Sequence, residues 1–253
     1  MSTSAPPGRL YGVGVGPGDP DLMTVTARRT IEQAPVIAHF AARRRPGNAW
    51  TVVEAFVTAE QRVLRLEYPI TTESVDKRDY ERMIAAFYDE SSRRIAAELD
   101  AKRDVAVICE GDPFFYGSYM YIHEQLAERY PTTVIPGVTS FSAAAAAAGV
   151  PLVSLNEVLT ILPGVLPPDE LKDALAGVDA AVVMKVGRHL GDVREAARST
   201  GVATRAIYVE RASCDGEIVL PLADTGDVDA PYFSLVLIPG RGIGRRWPPP
   251  PAG

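Results

Sequence analysis

Residues 110–118 read EGDPFFYGS and bring two carboxylates, a proline and three aromatic rings together directly after a strand. That strand, Val105 to Cys109, is five apolar residues long and has the composition of one buried on both faces. Gly111 admits a backbone conformation or a close approach that a side chain would block, and Asp112 offers an acceptor. Pro113 ends the ladder, and Phe114, Phe115 and Tyr116 crowd the exit. Gly-Asp-Pro also makes ordinary turns, but open α/β sheets bind ligands outside the carboxyl ends of their strands, where this loop falls. The chemistry on offer is binding by backbone and aromatic surface.

A second loop of the same kind, VGVGPGDPDLMT, follows a short strand from Leu10 to Val15. Gly12, Gly14, Gly16 and Gly18 invite a dinucleotide reading, but the G-x-G-x-x-G spacing fails: its third glycine falls on Pro17 or on Asp19. No acidic residue ends the second strand to hold a ribose, since His39 and Phe40 stand there, and no Walker lysine follows. The backbone of Gly-Pro-Gly-Asp-Pro comes close to a ligand yet offers few consecutive amides to a phosphate, which suits an adenosyl group.

The elements that must carry these loops alternate. Strands at 10–15, 36–40, 62–66, 105–109 and 133–135 are interleaved with helices at 22–33, 49–56, 79–99 and 120–129, which predicts a parallel sheet. In the longest helix Ile84, Phe87, Tyr88, Ile95 and Leu99 recur at helical spacing. Pro136 and Gly137 break the alternation, and Thr139 or Ser140 caps the alanine-rich helix beyond. The rest, with strands at 158–162, 180–185, 206–210, 217–220 and 233–238 and fewer helices, predicts a mixed sheet. The expected organisation is an N-terminal α/β domain over 9–135, a C-terminal one over 138–240 and a flexible Pro-rich tail over 241–253.

Composition excludes several classes. A net charge of -6 with no extended basic face speaks against nucleic acid. His39, His123 and His189 have no metal-ligand spacing, and Cys109 and Cys214 form no CxxC pair, so no protein-held metal and a reducing, cytoplasmic setting are expected. The leader MSTSAPPGR lacks an apolar core, and no apolar run reaches the roughly 18 residues of a membrane span.

GVGPGDP ending at Pro20, EGDPFFYGS, PGVTS at 136–140 and VVMKVG at 182–187, in this order, resemble the tetrapyrrole (corrin/porphyrin) methylase family over roughly residues 9–240. The CEGDPFFYGSYMY, YPIT, PLVSLNEVLTILPG and YVERAS segments are most similar to the branch that methylates C-20 of precorrin-2 in cobalamin biosynthesis. The resemblance implies two α/β domains, S-adenosyl-L-methionine in the cleft between them, S-adenosyl-L-homocysteine as product and a homodimer. It carries cofactor contacts onto Pro17, Gly111, Asp112, Phe115, Thr139, Ser140, Met184 and Ala212. Two departures from the family pattern are visible: Glu110 stands where many relatives have glycine, and Ala212 where some do.

The implied reaction is methyl transfer to a nucleophilic meso carbon of precorrin-2 or cobalt-precorrin-2. Orientation and desolvation then suffice without a strong base. Tyr116, then His39, are the candidates for removing the proton afterwards. Arg43, Arg44 and Arg45 have guanidinium forks suited to the carboxylates of the macrocycle. The alternatives are another tetrapyrrole methylase, acting on uroporphyrinogen or at a different precorrin carbon, and a non-catalytic module that binds an adenosyl ligand.

Overall fold

The computed structural model describes residues 6–43, 45–69, 76–226 and 230–242. The chain divides into two compact units, Met1–Thr139 and Ser140–Gly253. The first contains β1 (Leu10–Gly14), α1 (Val25–Gln33), β2 (Val36–Ala41), α2 (Asn48–Val53), β3 (Arg62–Glu67), α3 (Lys77–Asp100), β4 (Val105–Cys109), α4 (Tyr119–Leu126) and β5 (Thr132–Ile135). Its strands form one parallel sheet in the order β3-β2-β4-β1-β5.

The residues of β4 show how the layers are built. All five are buried, and because side chains alternate across a strand, Val105, Val107 and Cys109 pack in one apolar cluster and Ala106 and Ile108 in another. The first cluster holds Tyr88, Ile95 and Leu99 of α3 with Tyr119, Ile122 and Leu126 of α4. The second holds Ala27 and Ile31 of α1 with Ala49, Val52 and Val53 of α2. The sheet is therefore covered on both faces, α3 and α4 on one and α1 and α2 on the other. Truncating a fully buried Ile108 or Val107 to alanine in such a layer costs about 1–4 kcal/mol.

The helix after β1 starts later than its sequence suggests. Thr24 accepts the backbone N–H of Ala27 through Oγ1 at 3.1 Å and caps α1 at Val25. Residues 20–22 form a separate single turn whose cap is Asp19, accepting from the N–H of Asp21 at 2.8 Å.

The second unit contains α5 (Ser140–Ala147), β6 (Leu159–Pro163), α6 (Pro168–Leu175), β7 (Ala180–Met184), α7 (Leu190–Ser199), β8 (Ile207–Glu210), β9 (Ile218–Pro221) and β10 (Ser234–Ile238). The sheet order is β6-β7-β10-β8-β9, with β6 and β7 parallel and β10 antiparallel to both β7 and β8. Leu171 and Leu175 of α6 and Val193, Ala196 and Ala197 of α7 close one face over Ala181, Val183 and Val236. The mixed sheet is as expected; α6 and α7 add helical cover where the sequence showed mainly strands. Residues 243–253, most of the Pro-rich tail, lie outside the described residues.

Candidate active site

In the first sheet β1 and β4 are neighbours, yet the chain leaves β1 toward α1 on one face and leaves β4 toward α4 on the other. Loops diverging to opposite faces leave a crevice at the carboxyl edge, the place where open α/β sheets bind ligands. The GVGPGDP and EGDPFFYGS loops are the two that diverge, and PGVTS follows β5 on the other side of β1. The topology thus brings three sequence-distant motifs to one edge.

Backbone contacts join them. The N–H of Val15 donates to Cys109 O at 2.9 Å, and beyond it Gly16 and Gly111 form an isolated bridge, with Gly111 N–H donating to Gly16 O at 2.8 Å. Asp112 Oδ1 accepts the N–H of Phe114 at 2.9 Å, and Oδ2 accepts the N–H of Gly137 at 3.0 Å. A Cβ built on Gly137 would lie 2.0 Å from Gly111 O, and one on Gly14 would lie 2.6 Å from the same oxygen. The three loops meet so closely that only glycine fits at Gly14 and Gly137. Gly111 differs: its φ of +61° favours glycine while the space beside it is open, the nearest atoms to a Cβ being 3.9 Å away. Gly12 serves packing instead, because the buried ring of Tyr119 crosses β1 where its Cβ would be.

The predicted side chains fall out as follows. Tyr116 sits at the loop apex, 43% exposed, with a φ of +54° that a non-glycine residue adopts only when its surroundings impose it. Its ring packs edge-on to Phe115, centroids 5.0 Å apart. Pro17, Gly111, Asp112, Phe115 and Thr139 are half-buried around the joined loops, and Thr139 stands at the N-cap position of α5, whose first helical residue is Ser140. Glu110 is tied sideways: its carboxyl is pushed up by burial, opposed by hydrogen bonds from the Asn48 side chain and the Ala49 backbone at the start of α2.

His39 lies within β2 on the α1 and α2 face, only 3% exposed and stacked on Trp50 with centroids 4.8 Å apart. Its Nδ1 has no hydrogen-bond partner among the described residues. Burial lowers its pKa, against the Phe40 backbone and with help from the Arg65 charge, so the imidazole is neutral near pH 7. The basic loop after β2 belongs to the same sheet edge. Arg65 Nη2 donates to the carbonyls of Ala42 and Arg45 at 2.8 and 2.9 Å, holding the loop while the Arg43 and Arg45 side chains stay exposed. Arg44 lies outside the described residues.

In the second unit, the carboxyl ends of β7 and β8 point to one edge, because β10 between them is antiparallel to both. Met184 ends β7 and is followed by Lys185 at φ +57°; Ala212, buried, is flanked by Arg211 at φ +52° and Ser213 at φ +63°. Six non-glycine residues of the described chain have positive φ, and four of them, Tyr116, Lys185, Arg211 and Ser213, adjoin Phe115, Met184 or Ala212. Strain gathered at strand-end loops is a mark of functional sites. Sequence alone had no signal for it, since Tyr, Lys, Arg and Ser are not residues that announce a left-handed backbone.

The three joined loops contain no Lys or Arg over 12–23, 110–118 and 136–140. They offer backbone polar groups, acidic side chains and an aromatic wall, which fit a cationic sulfonium bearing an adenosyl group and not a phosphate. Among the described residues no cluster of three His, Cys, Asp or Glu side chains could hold a metal ion, and no helix is long and apolar enough to cross a membrane.

Comparison with known proteins gives a concordant picture. The family model of the tetrapyrrole (corrin/porphyrin) methylases matches residues 9–225. A precorrin-2 C(20)-methyltransferase of a Sinorhizobium species is 49% identical over 92% of this chain and 96% of its own length. A cobalt-precorrin-2 C(20)-methyltransferase of Salmonella typhimurium is 27% identical over 91% of this chain and 96% of its own. The crystal structure of a Thermus thermophilus uroporphyrin-III C-methyl transferase complexed with S-adenyl homocysteine superposes with a TM-score of 0.64 at 25% identity, covering 92% of each chain.

Proposed function

Since the chain belongs to the tetrapyrrole (corrin/porphyrin) methylases, we propose that it transfers a methyl group from S-adenosyl-L-methionine to C-20 of precorrin-2 or cobalt-precorrin-2 in cobalamin biosynthesis. It is an S-adenosylmethionine-dependent C-methyltransferase, and S-adenosyl-L-homocysteine is its second product. The likeness to the Sinorhizobium enzyme across nearly the whole chain supports the substrate. The joining of the β1, β4 and β5 loops supports the cofactor.

When bound, S-adenosylmethionine supplies an electrophilic methyl carbon. The macrocycle would provide the nucleophile, a meso carbon made electron-rich by neighbouring nitrogens, and the proton on that carbon would have to be taken up by a group at the loop edge. The residues assigned to the cofactor are Pro17, Gly111, Asp112, Phe115 and Thr139 in the first unit and Ser140, Met184 and Ala212 in the second. Their work is orientation and exclusion of water, which lower the barrier without a strong base. Arg43, Arg44 and Arg45 receive the carboxylates of the macrocycle, whose negative charge the net acidic protein otherwise repels.

Tyr116 is the first candidate to accept the proton because it is exposed at the loop apex, whereas His39 is covered by Trp50. Full methylation rate in Tyr116→Phe would remove it from that role. A homodimer and a cytoplasmic location complete the reading.

The test is a mass-spectrometric assay of purified protein with S-adenosylmethionine and freshly generated precorrin-2, run metal-free and with cobalt inserted. One added methyl mapped to C-20 is expected, and the faster substrate identifies the cobalt state. Cofactor binding without methylation of either macrocycle would overturn the substrate.

A further inference from the structure

Ser118 occupies the N-cap position of α4, where a serine hydroxyl ordinarily accepts one of the first helical N–H groups, yet α4 has no side-chain cap. Its Oγ instead shares a hydrogen bond with the hydroxyl of Tyr68, the residue after β3. Tyr68 is itself fixed from outside the loops: its ring lies 4.6 Å from that of Phe87 on α3 and 5.8 Å from that of Phe40 on β2. Burial raises its pKa far above the ordinary phenol range, so the hydroxyl stays protonated and has no acid–base role at neutral pH.

The loop between Gly111 and Ser118 has one end joined to Gly16 and to the Asp112 carboxylate. Its other end must hold Tyr116 at φ +54° and press Gly117 against Pro113, whose oxygen would lie 2.7 Å from a Cβ there. That conformation persists only if both ends are anchored. The Tyr68–Ser118 bond is a side-chain anchor at the second end, with the Tyr88 hydroxyl beside both groups.

We propose that Tyr68 is a positioning residue that, through Ser118, holds loop 110–118 in its cofactor-binding conformation. The proposal rests on the assignment of this loop to S-adenosylmethionine. Ser118 has helical φ and ψ of -66° and -17°, so its hydroxyl is not used to cap α4 and is left to fix the loop.

A double-mutant cycle tests it, with Tyr68→Phe, Ser118→Ala and their combination titrated with S-adenosyl-L-homocysteine by calorimetry. Each single variant should bind about fivefold more weakly, the ratio to which the net worth of one hydrogen bond converts. The double variant should be no weaker than either single, and Ser118→Thr should recover the affinity. Thermal midpoints should barely move, because Tyr68→Phe keeps the ring that packs on Phe87 and Phe40, and the Ser118 hydroxyl caps no helical N–H that Ser118→Ala could uncap. Wild-type affinity in both single variants, a product of the two losses in the double, or a lowered midpoint at unchanged affinity would each overturn the positioning role. If the wild-type protein itself did not bind S-adenosyl-L-homocysteine, the assignment of the loop would fall and the proposal with it.

Discussion

Removing the Asp112 carboxylate should cost most of the cofactor affinity while leaving the protein folded. The side chain accepts two backbone N–H groups, from Phe114 at 2.9 Å within its own loop and from Gly137 at 3.0 Å in the loop after β5. Hydrogen bonds to a charged acceptor contribute about 1.5–3 kcal/mol each. At a half-buried position the lower figure applies, so the pair is worth about 3 kcal/mol of loop order. If the ordered loop is the binding-competent state, Asp112→Ala should weaken S-adenosyl-L-homocysteine binding about 100-fold. Asp112→Asn should fall between, because its single oxygen satisfies one N–H while its amide group faces the other, donor against donor. The assay is calorimetric titration of the three proteins, with urea unfolding to show that each is folded and hydrogen exchange at Phe114 and Gly137. Affinity within threefold of wild type in folded Asp112→Ala would refute the link between loop order and binding. Unchanged protection of the two amides would refute the bonds themselves.

Gly137→Ala should destabilise the first unit by more than about 2 kcal/mol in urea, since its Cβ meets a backbone oxygen that cannot move aside; Gly111→Ala, with room but the wrong φ, should cost about 1 kcal/mol. Equal stability of Gly137→Ala and wild type would contradict the close packing of the loops. His39 has a lowered folded-state pKa, so below its unfolded value of 6.5 the unfolded chain binds more protons than the folded one. Its contribution to stability should therefore decline as pH falls from 6.5 and level off once the folded-state pKa is passed; a wild-type minus His39→Phe difference that is flat across that window would show the burial argument to be wrong. Arg43→Gln with Arg45→Gln should raise KM for the macrocycle about tenfold, two exposed charge contacts at roughly 0.7 kcal/mol each. Cofactor affinity should be unchanged within twofold, and equal loss of both would sink the assignment.

The layers of the first unit were legible because β2 and β4 are apolar on both faces and α3 repeats its apolar residues at helical spacing. The loops were legible as binding loops because Gly, Asp and Pro interrupt such strands where a ladder should end. What sequence did not disclose was their joining: that Gly137 lies against Gly111, or that Asp112 reaches across to Gly137, depends on strand order and not on local pattern. His39 is inside the strand that the sequence predicts over 36–40; that its ring lies beneath Trp50 depends on how α2 packs and not on local pattern. Ser118 stands in the EGDPFFYGS motif without any local mark of its partner, because its bond to Tyr68 spans a separation no sequence window covers.

The position of β1 in its sheet also governs the order of assembly during synthesis. Leu10 pairs with Val105 on one side and with Thr132 on the other, so the first strand of this sheet in chain order has no neighbour until β4 emerges and no complete setting until β5 does. Such long-range parallel pairing closes late and slowly. Until then β1, with its two exposed edges, is an aggregation hazard in the nascent chain. Glycines at positions 12 and 14 lower the strand propensity of this waiting segment. The residues that later admit Tyr119 and the neighbouring loops also keep the unpaired strand from seeking partners too soon.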